Sequence, residues 1–243
     1  MWDYLAEDYL VGGDNRCGTH IHVSMEPRFT AQELKRIAQA VIHFEPAFEV
    51  LVPQSRRGNQ YARSNWLECP DLGPSSKSRL DSILALNRLP DYDERAIIQI
   101  FSDRRYSWSF MTMLYYSTVE FRKPPFSTTA AECLQWAELA LSFIQACVRY
   151  PSVDALCRVP PNVHGLRWFV SRYQQAGVNE PARLDRLWHS HEPLDMLQPV
   201  VSKGFVLEHK LSVKERQSLR KLAEQDAQIS RLLVASQARE PYW

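Results

Sequence analysis

The chain has 243 residues, 45% of them hydrophobic and 11% aromatic, the make-up of a folded domain that buries a core rather than of a disordered segment. Its 29 basic and 28 acidic side chains nearly cancel to +1, which removes the general electrostatic case for nucleic acid, and no apolar run approaches the ~20 residues that span a bilayer. Five scattered cysteines (Cys17, Cys69, Cys133, Cys147, Cys157) without a C-x-x-C pair argue against a disulfide framework or zinc ribbon, and with an acidic start in place of a signal peptide they suggest a cytoplasmic protein.

Residues 1–16 read as short and turn-rich, with Gly12-Gly13-Asp14-Asn15 as a loop into the first strand. Over 19–24 polar and apolar side chains alternate, which predicts a half-buried strand. His20, His22 and Ser24 then share one face, and Thr19, Ile21 and Val23 the other. Two imidazoles so placed can share a metal, an anion or a substrate, or can simply hydrogen-bond a neighbour on a polar sheet face. Thr30 followed by Glu33 is a capping box, so a helix begins there. Its inner positions are Leu34, Ile37, Ala38, Val41 and Glu45 or Phe48, with a kink at Pro46 and an end before Pro53. Residues 54–63 are polar and carry Arg56, Arg57, Asn59, Tyr61 and Arg63. They form either a solvated loop or an anion-gripping one, since guanidinium groups among amide and aromatic side chains suit carboxylate or phosphate.

Residues 69–80, rich in Pro, Gly and Ser, read as an exposed loop, and 91–101 as a helix capped near Asp91 or Asp93. Residues 104–110 lead into a second strand region that ends at Glu120-Phe121-Arg122 and is stopped by Pro124-Pro125. There Val119 and Phe121 take one face, while Thr118, Glu120 and Arg122 take the other. A carboxylate and a guanidinium side by side on a strand otherwise built for a core need a reason to be there. A second capping box, Thr129 with Glu132, opens a helix through Leu134, Ala137, Leu141, Ile144 and Val148. Further helices are predicted over 165–175 (closed by Gly177), over 181–189, and from Ser212 with Glu215 to about Ala235. The fold class is α+β: a curved antiparallel sheet with helices 30–52 and 130–150 on one face and a pocket on the other. Residues 1–150 form this core, and 151–243 a helical C-terminal extension packed on it. Cys17 near His20 is a candidate nucleophile, and His164, His189 and His191 are incomplete as a zinc set. Trp66, Trp108, Tyr115 and Tyr116 could line a pocket for an apolar metabolite.

Three stretches together resemble the amidoligase family, carboxylate–amine ligases of the glutamine-synthetase-like fold. They are Cys17-Gly18-Thr19-His20-Ile21-His22-Val23, then Phe44-Glu45 followed by Arg57-Gly58-Asn59-Gln60-Tyr61-Ala62, and Thr118-Val119-Glu120-Phe121-Arg122, with Trp136 in the helix that follows. The resemblance covers about residues 15–150. It implies an ATP- and Mg-dependent reaction in which a substrate carboxylate is phosphorylated and an amine displaces the phosphate. It makes His20 a metal ligand with Glu120 as its carboxylate partner, puts His22 near the nucleotide phosphates, and gives Arg122 the substrate carboxylate or the transferring phosphoryl group. Arg57 with Asn59 clamps phosphate, and Arg63 and Tyr61 of the same loop complete the substrate- and phosphate-binding set. Hard Mg ions prefer oxygen ligands, and phosphoryl charge is stabilised by metals and guanidinium groups.

The family's opening strand with two alternate glutamates (G-x-E-x-E) is missing from the sixteen residues before Cys17, and residues 106–110 lack an expected asparagine. Three readings follow: a piece of a longer protein, a sheet completed by a partner chain, or a shortened form that reuses the pocket without ATP. The expected function is amide formation in small-molecule, secondary-metabolite biosynthesis. The alternative is an ATP-independent cyclase or isomerase, and the third option is a non-catalytic partner subunit of a full-length ligase. The expected partners are a small-molecule substrate, neither nucleic acid nor membrane, and a second copy (a dimer) joined along the shortened sheet edge, where unpaired backbone groups invite pairing.

Overall fold

Both capping boxes form in the computed structural model, which describes residues 2–9, 12–74, 77–173, 181–189 and 197–200. Thr30 Oγ1 accepts the Glu33 N–H at 3.2 Å, and Glu33 Oε2 accepts the Thr30 N–H at 2.8 Å, which starts α2 (Ala31–Leu51). Thr129 and Glu132 start α6 (Ala130–Arg149) in the same way. Before them α1 (Trp2–Asp8) and β1 (Ile21–Val23) lead in; between them lie α3 (Arg79–Asn87), α4 (Glu94–Ile100), β2 (Trp108–Ser109), α5 (Met113–Tyr116) and β3 (Val119–Phe121); after them come α7 (Val153–Cys157), α8 (Val163–Tyr173) and α9 (Pro181–His189).

Helix α2 is the central post, buried on nearly every side from Leu34 to Leu51. It continues through Pro46, whose ring nitrogen has no proton for the Ile42 carbonyl. Arg79 Nη1 donates to that carbonyl instead, at 2.8 Å, while its guanidinium lies 4.3 Å over the Trp66 ring. The helix ends ahead of Pro53, as its sequence demands.

The strands form a small antiparallel sheet in the order β1-β3-β2, with Ile21 opposite Phe121, His22 opposite Glu120, and Ser109 opposite Glu120 on the other side. The mixed, helix-rich architecture is α+β, with a sheet smaller than expected. Its apolar face meets both long helices. Trp108 stacks on Phe121 at 4.2 Å between centroids, Phe48 of α2 lies 5.5 Å from Phe121, and Phe143 of α6 lies 5.1 Å from Trp108. Such offset and edge contacts add to the burial of these rings. The outer side of β2 is covered by the segment 63–65. Ser107 N–H donates to Arg63 O at 2.8 Å, and the Asn65 side chain accepts from Trp108 N–H at 2.9 Å and donates to Trp108 O at 2.8 Å. An amide side chain thus stands in for a strand's backbone, because it carries the same donor and acceptor.

Several expectations change. Residues 2–8 are a helix rather than turns: the stretch has no Gly or Pro, and the loop signal belongs to Gly12-Gly13 further on. Residues 69–80 are not wholly exposed, for Cys69 and Leu72 are each 2% exposed, and the segment ends in α3, capped by Ser78 Oγ accepting from Asp81 N–H at 3.1 Å. Residues 104–122 are not one strand region, since α5 interrupts it and Ser117 turns at φ 54°. In α6 Ile144 is buried as expected, but the rest of the buried row is Trp136, Leu139, Ala140, Phe143 and Cys147, while Leu134 and Leu141 are 46% and 41% exposed. Two apolar rows competed, and the one that offers Phe143 to the sheet faces inward. Helix α4 is capped by Asp93, as expected. Helices α8 and α9 pack on α6. Gly177 and the segment from Ser212 to Ala235 lie outside the described residues. No described helix is long and apolar enough to cross a membrane.

Two buried neighbours on α2 give stability a pH dependence. The imidazole of His43 donates from Nε2 to Val159 O at 2.8 Å, and burial pushes its pKa down to about 4. Burial pushes Glu45 up to about 7, against the opposing effects of Arg79, Ser64 Oγ (2.9 Å) and the Asn65 N–H. As pH falls below the ordinary imidazole value near 6.5, the unfolded chain takes up a proton that folded His43 refuses, so stability is lost down to about pH 4. Glu45 has the opposite sign: its raised pKa contributes stability at low pH that is lost as pH rises through about 7. Between pH 7 and 5 the two changes are each about 2 kcal/mol and nearly cancel. His43→Gln keeps a donor for Val159 O and exposes the Glu45 slope alone. Urea unfolding at pH 7 and pH 5 should show the variant gaining about 2 kcal/mol relative to wild type at the lower pH. Parallel pH dependences would contradict this.

Candidate active site

The register across the sheet decides which polar groups meet. His22, Glu120 and Ser109 lie in one row across the three strands, on the face turned away from α2 and α6. Glu120 is the floor, with its side chain 5% exposed; His20 and His22 form a rim at 38% and 39%, and Arg122 lies between at 16%. Three nitrogens converge on one carboxylate oxygen, Glu120 Oε1: Arg122 Nη1 at 2.7 Å, His20 Nδ1 at 2.9 Å and His22 Nε2 at 3.5 Å. Burial alone would raise the Glu120 pKa, but the hydrogen bond from His20 and the charge of Arg122 hold it below the ordinary carboxylate value.

The partners fix the imidazole tautomers. We assign the His20 proton to Nδ1 because that nitrogen lies 2.9 Å from Glu120 Oε1 and a carboxylate only accepts. In that tautomer Arg122 Nη1 and His20 Nδ1, 3.3 Å apart, are two donors to the same oxygen; in the opposite one Nδ1 accepts from Arg122. For His22 we assign the reverse: Nε2 faces Glu120 at 3.5 Å, and Nδ1 shares a hydrogen bond with Thr118 Oγ1 at 2.9 Å, in which it is the acceptor under this assignment. Among the described residues, His20 Nε2 and Arg122 Nη2 have no partner. The first is a lone pair backed by a carboxylate, the arrangement of a general base. The second is a guanidinium donor open to an anion.

The loop 54–63 supports this cluster more than it extends it. Arg56, 2% exposed, donates to the carbonyls of Asn15 and Cys17 (3.1 Å each), Arg122 (2.8 Å) and Lys123 (3.3 Å), tying the approach to β1 to the exit of β3. Gly18 makes room for it, since a Cβ there would sit 2.8 Å from Arg56 Nη2. Burial, with Arg122 nearby, pushes the Arg56 pKa down to about 10. Arg57 donates to Glu49 O and Gln54 Oε1 at 3.0 Å each; Asn59 donates to Asn15 O and accepts from Tyr61 N–H at 2.9 Å; Arg63 pairs with Asp103 at 3.0 Å and Glu68 at 3.6 Å. Of this predicted binding set, Tyr61 is the member brought to the cluster, its carbonyl accepting from Arg122 Nε at 3.3 Å.

Two residues that have a role at the site were assigned none from sequence. Ser109 shares the Glu120 row, and its buried hydroxyl has no partner among the described residues; the alternation of Ser107 and Ser109 around Trp108 was its signal. Glu45, taken as a core position, holds Ser64 and Asn65, which fix β2, and Ser107 O then accepts the Arg122 N–H at 2.8 Å. Glu45 therefore positions the strand that carries Arg122. Trp108 is fully buried beneath the sheet and lines neither of the two cavities beside α7 and α8. Cys17 is exposed, with Sγ 3.7 Å from Asp14. These cavities, of about 400 and 430 Å³, are lined by groups such as Leu80, Leu84, Trp168 and Tyr173, and neither includes the cluster.

A family model described as "Putative amidoligase enzyme" matches residues 1–144, more than half of the 243. The chain belongs to the amidoligase family. No curated protein and no solved structure matches it. Family membership makes a ligase-type enzyme the class to which this amidoligase is assigned.

The donor set does not suit the magnesium that the resemblance implies. Among the described residues, no group of three or more His, Cys, Asp and Glu side chains is arranged to hold a metal ion. The carboxylate nearest to such a site, Glu120, already faces three nitrogen donors on one oxygen, Arg122 among them. Mg wants near-octahedral oxygen coordination, and a guanidinium against its carboxylate repels it.

Proposed function

We propose that this amidoligase joins a small-molecule carboxylate to an amine, with His20, His22, Glu120 and Arg122 as the reaction centre. The observation that carries this reading is the convergence on Glu120 Oε1, which leaves His20 Nε2 and Arg122 Nη2 without a partner among the described residues. Arg122 holds the substrate carboxylate. His20 takes the proton that the ammonium group must lose before its nitrogen can bond to the acyl carbon, the C–O bond breaking as the oxygen leaves with the phosphate that ATP would have placed on it, and Glu120 stabilises the imidazolium that results. His22, braced by Thr118, keeps Glu120 in place. The loop bearing Arg57, Asn59, Tyr61 and Arg63 borders the substrate side. A glutamine-synthetase-like sheet, a chemistry-bearing part over 1–150 and a helical extension over 151–243 belong to the same proposal. So does pairing of a second copy along β1, the sheet's outer strand.

ATP would supply the activation of the carboxylate in the family-type reaction, and no described residue set accounts for its magnesium. That same fact favours a second reading, in which the four residues run ATP-independent cyclisation or isomerisation by proton transfer alone. Isothermal titration with MgATP separates the two. Ligase chemistry predicts saturable binding at micromolar concentration that Glu120→Gln weakens. The absence of heat at millimolar nucleotide would remove ATP from the proposal and leave the acid–base reading.

A further inference from the structure

The connection between β2 and β3 sets two tyrosines beside the reaction centre with no core for their rings to enter. Helix α5 is anchored by Met113, 4% exposed, and by Thr112 Oγ1, which donates to Thr118 O at 2.7 Å. Ser117 then turns through the left-handed region, φ 54°, where non-glycine residues are uncommon and tend to mark functional turns. This leaves Tyr115 37% and Tyr116 70% exposed, and the Tyr116 ring stands perpendicular to the His22 imidazole with centroids 5.9 Å apart. His22 in turn faces the Glu120 oxygen that holds Arg122. An exposed aromatic ring and a guanidinium N–H with no partner among the described residues therefore flank the same pair of side chains, His22 and Glu120.

We propose that Tyr116, with Tyr115 beside it, is a subsite for a planar ring. The acid that this enzyme takes then carries an aromatic ring near its carboxylate. The inference rests on Arg122 as the carboxylate donor. A tyrosine offers rigid contact area with few torsions to freeze, and an incoming ring would cover a face that is now in water. An aliphatic acid of the same charge gains only the Arg122 contact.

The test is a pair of titrations, phenylacetate and acetate, followed by the NMR signals of the His22 and tyrosine rings. The wild type should bind phenylacetate about tenfold more tightly than acetate, the size of one favourable ring contact. Tyr116→Ala should reduce phenylacetate to the acetate level without changing acetate, and Tyr116→Phe should retain the preference. Arg122→Ala should abolish binding of both. Equal affinities in the wild type, or a Tyr116→Ala variant that keeps the preference, would overturn the ring subsite while leaving Arg122 intact. Failure of both acids to bind the wild type at millimolar concentration would overturn the carboxylate-binding reading and the subsite with it.

Discussion

Glu120→Gln is expected to lower kcat/KM by about two to three orders of magnitude while the protein stays folded. The substitution keeps the shape of the side chain but removes the charge on which Arg122, His20 and His22 converge. His20 then has no carboxylate to hold its Nδ1 proton or to stabilise its charged form. Arg122 loses the contact that aims its free nitrogen. Arg122→Ala should cost a similar factor by another route, raising KM for the carboxylate substrate as well as lowering kcat. Cooperative urea unfolding close to that of wild type separates loss of chemistry from loss of fold, because the rim of the cluster is already in contact with water. If both variants turn over normally, the sheet face is not where the reaction happens.

The largest expected loss of stability lies beneath the site. Lys123 is 2% exposed, and its ammonium group meets Glu49 Oε1 in a pair buried on both sides. Lys123→Met leaves the Glu49 carboxylate stranded in the interior, one helical turn from buried Glu45. Removing one partner of a buried pair typically costs about 3–5 kcal/mol. The double variant Glu49→Leu with Lys123→Met should recover most of that, since replacing both charges by apolar groups leaves nothing unpaired. Urea unfolding of the two variants measures the difference. A Lys123→Met protein within about 1 kcal/mol of wild type would show that the pair is hydrated rather than dry.

The legible parts of the chain were those governed by local rules. Thr30 with Glu33 and Thr129 with Glu132 announced the long helices because a capping box is complete within four residues. The alternation around His22 and Glu120 put both on the polar face because a strand has a period of two. What escaped depends on contacts distant in sequence. Nothing near Asn65 says that its side chain will act as backbone for Trp108, or that Arg79 will take the Ile42 carbonyl left by Pro46. The loop arginines carried the right chemistry for anions, yet Arg56, Arg57 and Arg63 are engaged by carbonyls and carboxylates of the chain itself. Composition shows a guanidinium, and only packing shows what it bonds.

The central claim is that Glu120 holds His20 with its proton on Nδ1, leaving Nε2 as the base. Long-range ¹H–¹⁵N correlation spectra of the histidine side chains test this at neutral pH without any substrate. The account predicts the Nδ1–H tautomer for His20 and the Nε2–H tautomer for His22, with the His20 preference lost in Glu120→Gln. Free imidazole side chains favour Nε2–H, so the His20 result would be the mark of its carboxylate. An Nε2–H tautomer at His20 in the wild type would contradict the account and leave the cluster without its base.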